Sequence, residues 1–248
     1  MLSGAPVSSP PRADQLLDTF LQGSDRQARG LVTALRQRID DLAPLIVDRL
    51  RSADREGDQW RCGFLLQLLA EASGKVEGGP VEALFPGGWL LTPSAVAMNY
   101  APLQRHLLFQ EFEEADRCTS AHLRQLAGPA AEKRGYVYFS EVAAIPALDL
   151  QSLDRLWIAY SLGRFGFSVQ GRLLRLCDNR WETLWLRLGW KREGLWTRYP
   201  AAFTWSLEAP EGHMPLVNQL RGVRLLDALL HHPAVRQRTE AAGRTTKG

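Results

Sequence analysis

Aromatic rings, rather than acids, bases or nucleophiles, are the residues of this chain with the clearest chemical potential. Phe165 and Phe167 lie in a glycine-rich stretch that ends at Val169, directly after a helical pattern. Four more rings fall within residues 196–205: Trp196, Tyr199, Phe203 and Trp205. Flat apolar rings bind a partner through contact area, so the two segments predict a non-covalent binding surface. Taken alone, the two phenylalanines equally suit a buried corner of the fold.

A stripe of polar side chains follows the second aromatic segment. The residues Asn218, Arg221 and Arg224 recur at the three-residue spacing of one helix face, and Leu216 and Leu220 belong to a second, apolar face. Guanidinium groups pair with carboxylates, so a face of this kind can look into a pocket that holds an anion. Taken alone, such arginines are typical of a solvated helix surface.

The chain lacks the patterns of the common catalytic and metal sites. Neither a phosphate-binding GxxxxGK[ST] loop nor a zinc signature is present, and no CxxCH motif could attach haem covalently. His213 could be a base or a metal ligand, but its proline-framed loop favours a hydrogen bond to the backbone. The sequence predicts no catalytic residue, no metal site formed by a cluster of side chains and no covalent cofactor.

Composition narrows the class of protein further. A net charge of +3 and a pI near 8.9 do not indicate a nucleic-acid partner, because charges of both signs are spread along the chain. Cys62, Cys118 and Cys177 stand singly, as in proteins of reducing compartments. No apolar run approaches the roughly 20 residues of a membrane helix. We therefore expect a soluble protein, and the short start before residue 13 suits a bacterial or mature chain.

Helical periodicity dominates the chain and predicts an all-α fold. A disordered start (1–13) is expected to precede an N-terminal helical bundle (14–75), a linker or strap (76–94), a binding domain (95–235) and a flexible tail (236–248). Within the binding domain, we expect a helical hairpin over 103–126 with its bend near Gln110. Further helices are expected at 148–160, 168–177, 181–188 and 216–230. The short segment 136–139 is the one candidate strand.

Several ordered motifs in residues 100–233 resemble one known family. The strings DLQSLDRLWIAYSLGRFGFSVQ, GWK, LWTRYP, FTW and APEGHMPLVNQLRGVR occur in that order. Their order and spacing are similar to those of the genomes-uncoupled-four family, the porphyrin-binding regulators of magnesium chelatase. Members of the cyanobacterial type carry an N-terminal helical domain before a hand-like helical domain whose concave palm binds the porphyrin.

The resemblance implies a ligand and a set of residues that touch it. Protoporphyrin IX or magnesium-protoporphyrin IX would lie against the aromatic loops, with its propionates near the arginines. The implied porphyrin-binding residues are Phe165, Phe167, Val169, Trp196, Tyr199, Phe203, Asn218, Arg221 and Arg224. Asn218 or a water molecule is better placed than His213 as the oxygen ligand to a magnesium ion in the ring. The position of Tyr199 is commonly tryptophan in bacterial members, which implies a modest loss of porphyrin affinity here.

The resemblance also implies a partner, a location and a role. The large porphyrin-binding subunit of magnesium chelatase would be the partner, and the protein would stimulate chelation in chlorophyll synthesis without being an enzyme. The expected location is the cytoplasm of a cyanobacterium, with a peripheral position at thylakoid membranes as a further expectation. Two other interpretations are a helical-repeat adaptor that binds a protein without a tetrapyrrole, and a tetrapyrrole-modifying enzyme.

Overall fold

The computed structural model describes residues 12–76, 78–216 and 223–245, with side chains as far as residue 241. The helices, named in chain order, are α1 (Ala13–Gln22), α2 (Asp25–Gln37), α3 (Ile39–Ser52), α4 (Trp60–Ala72), α5 (Pro80–Leu84), α6 (Ala101–Leu108), α7 (Phe112–Ala127), α8 (Pro129–Arg134), α9 (Ala147–Ala159), α10 (Phe167–Leu176), α11 (Trp181–Arg187), α12 (Arg224–His231) and α13 (Pro233–Thr245). A 3-10 helix spans Phe139–Ala144, and β1 (Lys191–Arg192) pairs antiparallel with β2 (Leu195–Trp196). The prediction of an all-α fold is confirmed.

Helices α1 to α4 form the N-terminal bundle. The start of α2 is fixed by a capping box, in which Ser24 and Gln27 each bond to the other's backbone N–H. α4 is apolar around most of its surface, because it lies between the bundle and the rest of the chain. The amide nitrogen of Gln67 on α4 donates to the carbonyls of Leu107 and Tyr160, at 2.9 and 2.8 Å. The bundle is therefore bonded directly to the C-terminal part.

The strap between the two parts is packed rather than free. Trp89 is 2% exposed and its indole N–H donates to the carbonyl of Leu50 at 3.0 Å. Arg155 on α9 holds the same region through the carbonyls of Leu91 and Gly57. One continuous hydrophobic cluster runs from α1 to α13. The boundary of two domains at residues 76–94 stays a proposal.

The hairpin of α6 and α7 bends where the sequence predicts it. α6 ends at Leu108, α7 begins at Phe112, and Gln110 between them takes a left-handed backbone angle, with φ of 60°. α7 packs on α6 and α8 and turns its outer face toward the aromatic segments. The helices predicted at 148–160, 168–177 and 181–188 appear as α9, α10 and α11.

Three local predictions differ from the structure. The expected flexible tail after 235 is instead most of α13, which packs on α9 and α10 because Val235, Arg238 and Thr239 face inward. Residues 136–139 do not form a strand; Tyr136 and Tyr138 stack beneath the guanidinium of Arg134, and the 3-10 helix follows. The helix predicted over 216–230 begins at 224 in the described part, and residues 217–222 lie outside it. The expected disordered start also lies outside the described residues, apart from residues 12 and 13.

No helix among the described residues is both long enough and apolar enough to cross a membrane.

Candidate functional site

A cavity of about 870 Å³ opens between α7 and the second aromatic segment. We call it the α7 cavity, and we call residues 196–205 the aromatic loop. The α7 cavity is lined by Asp116, Arg117, Ser120, Leu123, Arg124, Gly135, Tyr136, Val137, Trp196, Thr197, Arg198, Tyr199, Leu216 and Leu225. The volume falls within the range of about 300–1,000 Å³ that is usual for small-molecule sites. The cavity is thus large enough for a flat polycyclic ligand.

Two half-exposed rings form the apolar wall of the α7 cavity. Trp196 is 44% exposed and Tyr199 is 42% exposed, although both lie among other aromatic side chains. The Trp196 ring centroid is 5.5 Å from that of Trp185, which in turn stacks on Trp190 at 5.5 Å. The ring of Tyr199 meets that of Trp205 edge to face at 5.8 Å. Both rings therefore pack against other aromatic rings and still leave more than two fifths of each residue exposed.

Arginines from two sides give the cavity a cationic edge. Arg117 on α7 is neutralised by Glu113 and Glu114, one helical turn earlier. Arg124, two turns further along α7, and Arg198 on the aromatic loop have no ion-pair partner within the described ranges. These two guanidinium groups can therefore pair with the carboxylates of a ligand.

Asp116 is a buried acid in the same wall. Its side chain is 1% exposed; one carboxylate oxygen accepts the backbone N–H of Leu216 at 2.6 Å, and the other accepts the hydroxyl of Tyr199 at 3.4 Å. Burial raises the pKa of Asp116 to about 7, against the lowering effects of the Leu216 N–H, the Tyr199 hydroxyl and Arg117. A carboxyl group that titrates near neutral pH therefore lies under the aromatic loop.

The structure divides the aromatic residues predicted for the site into two groups. Trp196 and Tyr199 line the α7 cavity. Phe165 and Phe167 are fully buried and do not line it, and Phe203 is 7% exposed behind Tyr199. Gly166 lies between the first two, with φ of 133°, and an added Cβ there would stand 2.8 Å from a carboxylate oxygen of Asp154. The chain is therefore closely packed between the two phenylalanines.

The structure does not place the other residues predicted for the site in the α7 cavity. Val169 borders a different cleft of about 580 Å³ between the N-terminal bundle and α13. Arg224 is exposed, and its guanidinium lies 5.4 Å from the ring centroid of Phe139 rather than in the α7 cavity. Asn218 and Arg221 lie outside the described residues.

His213 has the structural role that its loop predicts. One ring nitrogen lies 2.6 Å from the carbonyl oxygen of Leu188, and the ring packs at 4.8 Å from that of Phe203. Burial lowers the pKa of His213, which keeps the imidazole neutral. Within the described residues, no group of three or more histidine, cysteine or acidic side chains could hold a metal ion.

Sequence reasoning missed the contribution of α7 to the site. Asp116, Ser120, Leu123 and Arg124 all line the cavity from this helix. The sequence did contain a sign of this contribution, because Asp116 occupies the apolar stripe of α7 together with Phe112, Thr119 and Leu123. An acid in such a stripe is buried, and a buried acid marks a place where the fold needs a hydrogen-bond acceptor.

Comparison with known proteins assigns this arrangement to a family. Residues 93–233, which include every residue that lines the α7 cavity, match the model of the GUN4-like family. The chain belongs to that family. The resemblance to the genomes-uncoupled-four proteins in the sequence is therefore confirmed.

Relatives from several organisms extend this assignment. A Ycf53-like protein of Synechocystis is 48% identical over 220 residues, covering 88% of this chain and 94% of the relative. A chloroplastic protein of Arabidopsis thaliana called tetrapyrrole-binding protein is 40% identical over 58% of this chain and 57% of its own length.

Two solved GUN4 structures are also similar to this chain. GUN4 from Chlamydomonas reinhardtii is 39% identical, with a TM-score of 0.56 over 59% of this chain and 94% of its own. The ligand-free structure of Arabidopsis thaliana GUN4 is 42% identical, with a TM-score of 0.52 over 56% of this chain and 99% of its own. Each similarity covers more than half of this chain and nearly all of the solved chain.

Proposed function

We propose that this protein binds a porphyrin in the α7 cavity and acts as a regulator of tetrapyrrole metabolism rather than as an enzyme. The observation that carries the proposal is one cavity that combines two half-exposed rings, Trp196 and Tyr199, with two arginines that lack ion pairs to described residues. A porphyrin presents the complementary features, a large flat apolar plate and two propionates. Membership of the GUN4-like family and the name of the Arabidopsis relative support the same ligand class.

The energetics of such a complex are sufficient for a specific interaction. Burial of about 300 Å² of porphyrin ring would contribute about 7 kcal/mol at about 25 cal/mol per Å². Each propionate paired with a guanidinium would add about 1.5–3 kcal/mol. Association costs at least about 4 kcal/mol, which leaves at most about 6–9 kcal/mol and a dissociation constant in the micromolar range.

The ligand that we propose is protoporphyrin IX or magnesium-protoporphyrin IX. Magnesium prefers oxygen ligands, and the proposed partner for it is Asn218 or a water molecule. Arg221 keeps its proposed role near the propionates, from the segment that follows Leu216.

No chemical step is proposed. A tetrapyrrole-modifying enzyme would need a proton donor that touches the ring, and Asp116 is the one acid that lines the α7 cavity in the described part of the chain. Its carboxyl group is covered by Tyr199 and by the backbone of Leu216. This covering favours a structural role for Asp116 over proton transfer to a ligand.

A titration with a soluble porphyrin tests the proposal, and Tyr199→Ala with Phe203→Ala makes it specific. Tyr199→Ala should weaken porphyrin binding by about tenfold or more, because the ring that lines the cavity is lost. Phe203→Ala should instead lower the free energy of unfolding by about 3–5 kcal/mol, because its ring is buried. Binding is measured by quenching of tryptophan fluorescence, since Trp196 lies in the cavity wall, and stability by urea unfolding.

The titration of the wild-type protein and of these two variants also distinguishes porphyrin binding from the adaptor interpretation. An adaptor without a tetrapyrrole would show no saturable quenching in either the wild-type protein or the variants. Tyr138 and Phe139, which are 46% and 47% exposed near the cavity, are the observation that favours a protein partner. A core-like loss of stability in Tyr199→Ala with unchanged affinity would show that the porphyrin binds elsewhere.

The arginines make a second prediction. Arg124→Ala should weaken binding of a dicarboxylate porphyrin about tenfold, the loss of one charge-assisted hydrogen bond, and should change binding of the dimethyl ester little. The control is Arg26→Ala, on the distant helix α2, which should affect neither ligand. Arg224→Ala tests whether the propionates lie at Phe139 or at α7. If it weakens binding of the dicarboxylate porphyrin, relative to the dimethyl ester, more than Arg124→Ala does, the propionates lie at Phe139.

The partner and the location belong to the same proposal. We propose that the protein delivers porphyrin to the large porphyrin-binding subunit of magnesium chelatase and stimulates chelation in chlorophyll biosynthesis, which a chelation assay with and without the protein measures. A peripheral position at thylakoid membranes is supported by the tip of the β1–β2 hairpin. Leu195 is 75% exposed there, next to Trp196 and between the exposed Arg192 and Arg198. Apolar and cationic side chains together suit an anionic lipid surface.

A further inference from the structure

Trp196 is the most exposed of the eight tryptophans of this chain, all of which lie in its described part. The residue is 44% exposed, whereas Trp157 and Trp190 are fully buried and Trp181 and Trp205 are partly buried. Trp196 also lines the α7 cavity. The indole ring that is most open to solvent is therefore the one that the proposed function places beside the porphyrin.

The α7 cavity contains few other side chains that react with the oxidant that an illuminated porphyrin makes. Porphyrins absorb visible light and transfer the energy to dioxygen, which gives singlet oxygen. Singlet oxygen attacks indole, imidazole, thiol, thioether and phenol groups. Among the described residues that line the cavity there is no histidine, cysteine or methionine, and the two phenols belong to Tyr136 and Tyr199. A protonated phenol reacts more slowly than an indole, so Trp196 is the preferred target.

The backbone at Trp196 is held independently of the indole ring. β2 pairs with β1, and the next residue, Thr197, bonds through its N–H to the carbonyl of Trp190 and through its hydroxyl to the carbonyl of Gly189, at 2.9 Å each. The ring itself packs against that of Trp185. A change confined to the indole would therefore alter the cavity wall without unfolding the hairpin.

We propose that Trp196 is a light-dependent oxidation site, where the bound porphyrin causes the indole ring to open and so limits its own residence in the α7 cavity. The excited porphyrin passes its energy to dioxygen and returns unchanged to its ground state. Singlet oxygen adds both of its atoms across the Cγ–Cδ1 double bond of the indole. The resulting dioxetane breaks its O–O and Cγ–Cδ1 bonds and leaves two carbonyl groups, as N-formylkynurenine. Dioxygen is the one co-reactant, and no proton is lost. The inference rests on the proposed function and adds a modification site to it.

The oxidised side chain makes a poorer wall for a porphyrin. N-formylkynurenine has one ring where the indole has a fused pair, so the flat area that meets the porphyrin and the ring of Trp185 is smaller. Its two new carbonyl groups also lose hydrogen bonds to water if a porphyrin covers them, which opposes binding. Porphyrin affinity should therefore fall about tenfold on oxidation of Trp196, which corresponds to the loss of one aromatic contact.

Peptide mapping of the illuminated wild-type protein tests the site directly. The full chain, with a substoichiometric amount of deuteroporphyrin, is illuminated in aerated buffer, digested with trypsin and analysed by mass spectrometry. Cleavage after Arg192 and Arg198 releases residues 193–198, in which Trp196 is the one aromatic residue. This peptide should gain two oxygen atoms, and removal of dioxygen should prevent the gain. The peptide of residues 181–187, which carries Trp181 and Trp185, is the internal reference.

Rose bengal attached to beads is the control sensitiser. The beads cannot enter the α7 cavity, so they oxidise side chains according to exposure alone. The ratio of oxidation in residues 193–198 to that in residues 181–187 should be about threefold or more higher with deuteroporphyrin, because the bound porphyrin makes the oxidant in contact with its target. The same ratio with both sensitisers, or no gain of oxygen in residues 193–198, would overturn the inference.

Trp196→Phe connects oxidation to release of the porphyrin. Phenylalanine keeps a flat apolar ring but lacks the double bond that reacts. Affinity is measured from the visible absorbance of freshly added deuteroporphyrin, and each protein is compared with its own sample kept in the dark. Illumination should weaken binding about tenfold in the wild type and by less than about twofold in the variant. An equal loss in both proteins would mean that light disables the site through another residue, and would overturn the inference. Absence of binding to the wild-type protein in the dark would instead overturn the proposed function, and the inference with it.

Discussion

Replacement of Gly63 with alanine is expected to lower the free energy of unfolding by about 3 kcal/mol or more, because it forces two helices apart. A Cβ at Gly63 would lie 1.9 Å from the carbonyl oxygen of Ala159, so the backbones of α4 and α9 are in direct contact there. Backbone cannot rotate away as a flexible side chain can, and protein interiors transmit such a shift to their neighbours. Urea unfolding followed by tryptophan fluorescence measures the loss.

Gly30→Ala is the matched control for this substitution. Gly30 also lies within a helix, α2, but nothing stands within 4 Å of the added Cβ. This change should raise stability by about 0.5–1 kcal/mol, because alanine is the better helix former. If both variants were equally stable, the contact between α4 and α9 would not be close in solution, and the N-terminal bundle would be free to move relative to the part of the chain that contains the α7 cavity.

The close contact between α4 and α9 could not be predicted from the sequence, although the helices themselves could. The apolar spacing of Leu153, Leu156 and Trp157 predicts α9, and the break near Gln110 predicts the hairpin of α6 and α7. Both patterns are local, and local patterns fix local structure. The pairing of Gly63 with Ala159 spans 96 residues, and a lone glycine in a helix gives no sign of what approaches it.

The candidate site shows the same division between local and distant information. Aromatic composition identified Trp196 and Tyr199, which line the α7 cavity, and also Phe165 and Phe167, which do not. An apolar ring is removed from water both when it packs in the core and when it binds a ligand. Sequence periodicity therefore cannot distinguish core rings from binding-site rings. What separates them is the tertiary packing around each ring, which is a property of the folded chain. Conversely, Asp116 was visible as an acid in an apolar stripe and could have been selected.

Arg238→Ala is expected to lower the free energy of unfolding by about 3–5 kcal/mol, since it leaves a buried carboxylate without its counter-charge. The guanidinium bonds to Asp154 at 2.6 Å and to Asp58, and Asp154 is fully buried. Asp154 also accepts the backbone N–H of Ser168 at 2.9 Å, which fixes the first turn of α10. The composition of the C-terminal segment predicts a flexible tail, but this one arginine binds it to two acids, 84 and 180 residues away.

The neighbouring Arg236 provides the control on the same helix. Its side chain is 61% exposed and reaches Glu240 at 3.9 Å, so Arg236→Ala should change stability by no more than about 0.5 kcal/mol. Asp58→Asn should fall between the two, because Asp58 is 41% exposed and Asp154 still holds the guanidinium. Equal, small effects of all three substitutions in urea unfolding would mean that α13 detaches readily. A larger loss at Arg238 would instead establish that α13 connects three elements: the loop before α4, α9 and α10. The arginine would then help to hold the N-terminal bundle against the part of the chain that contains the α7 cavity.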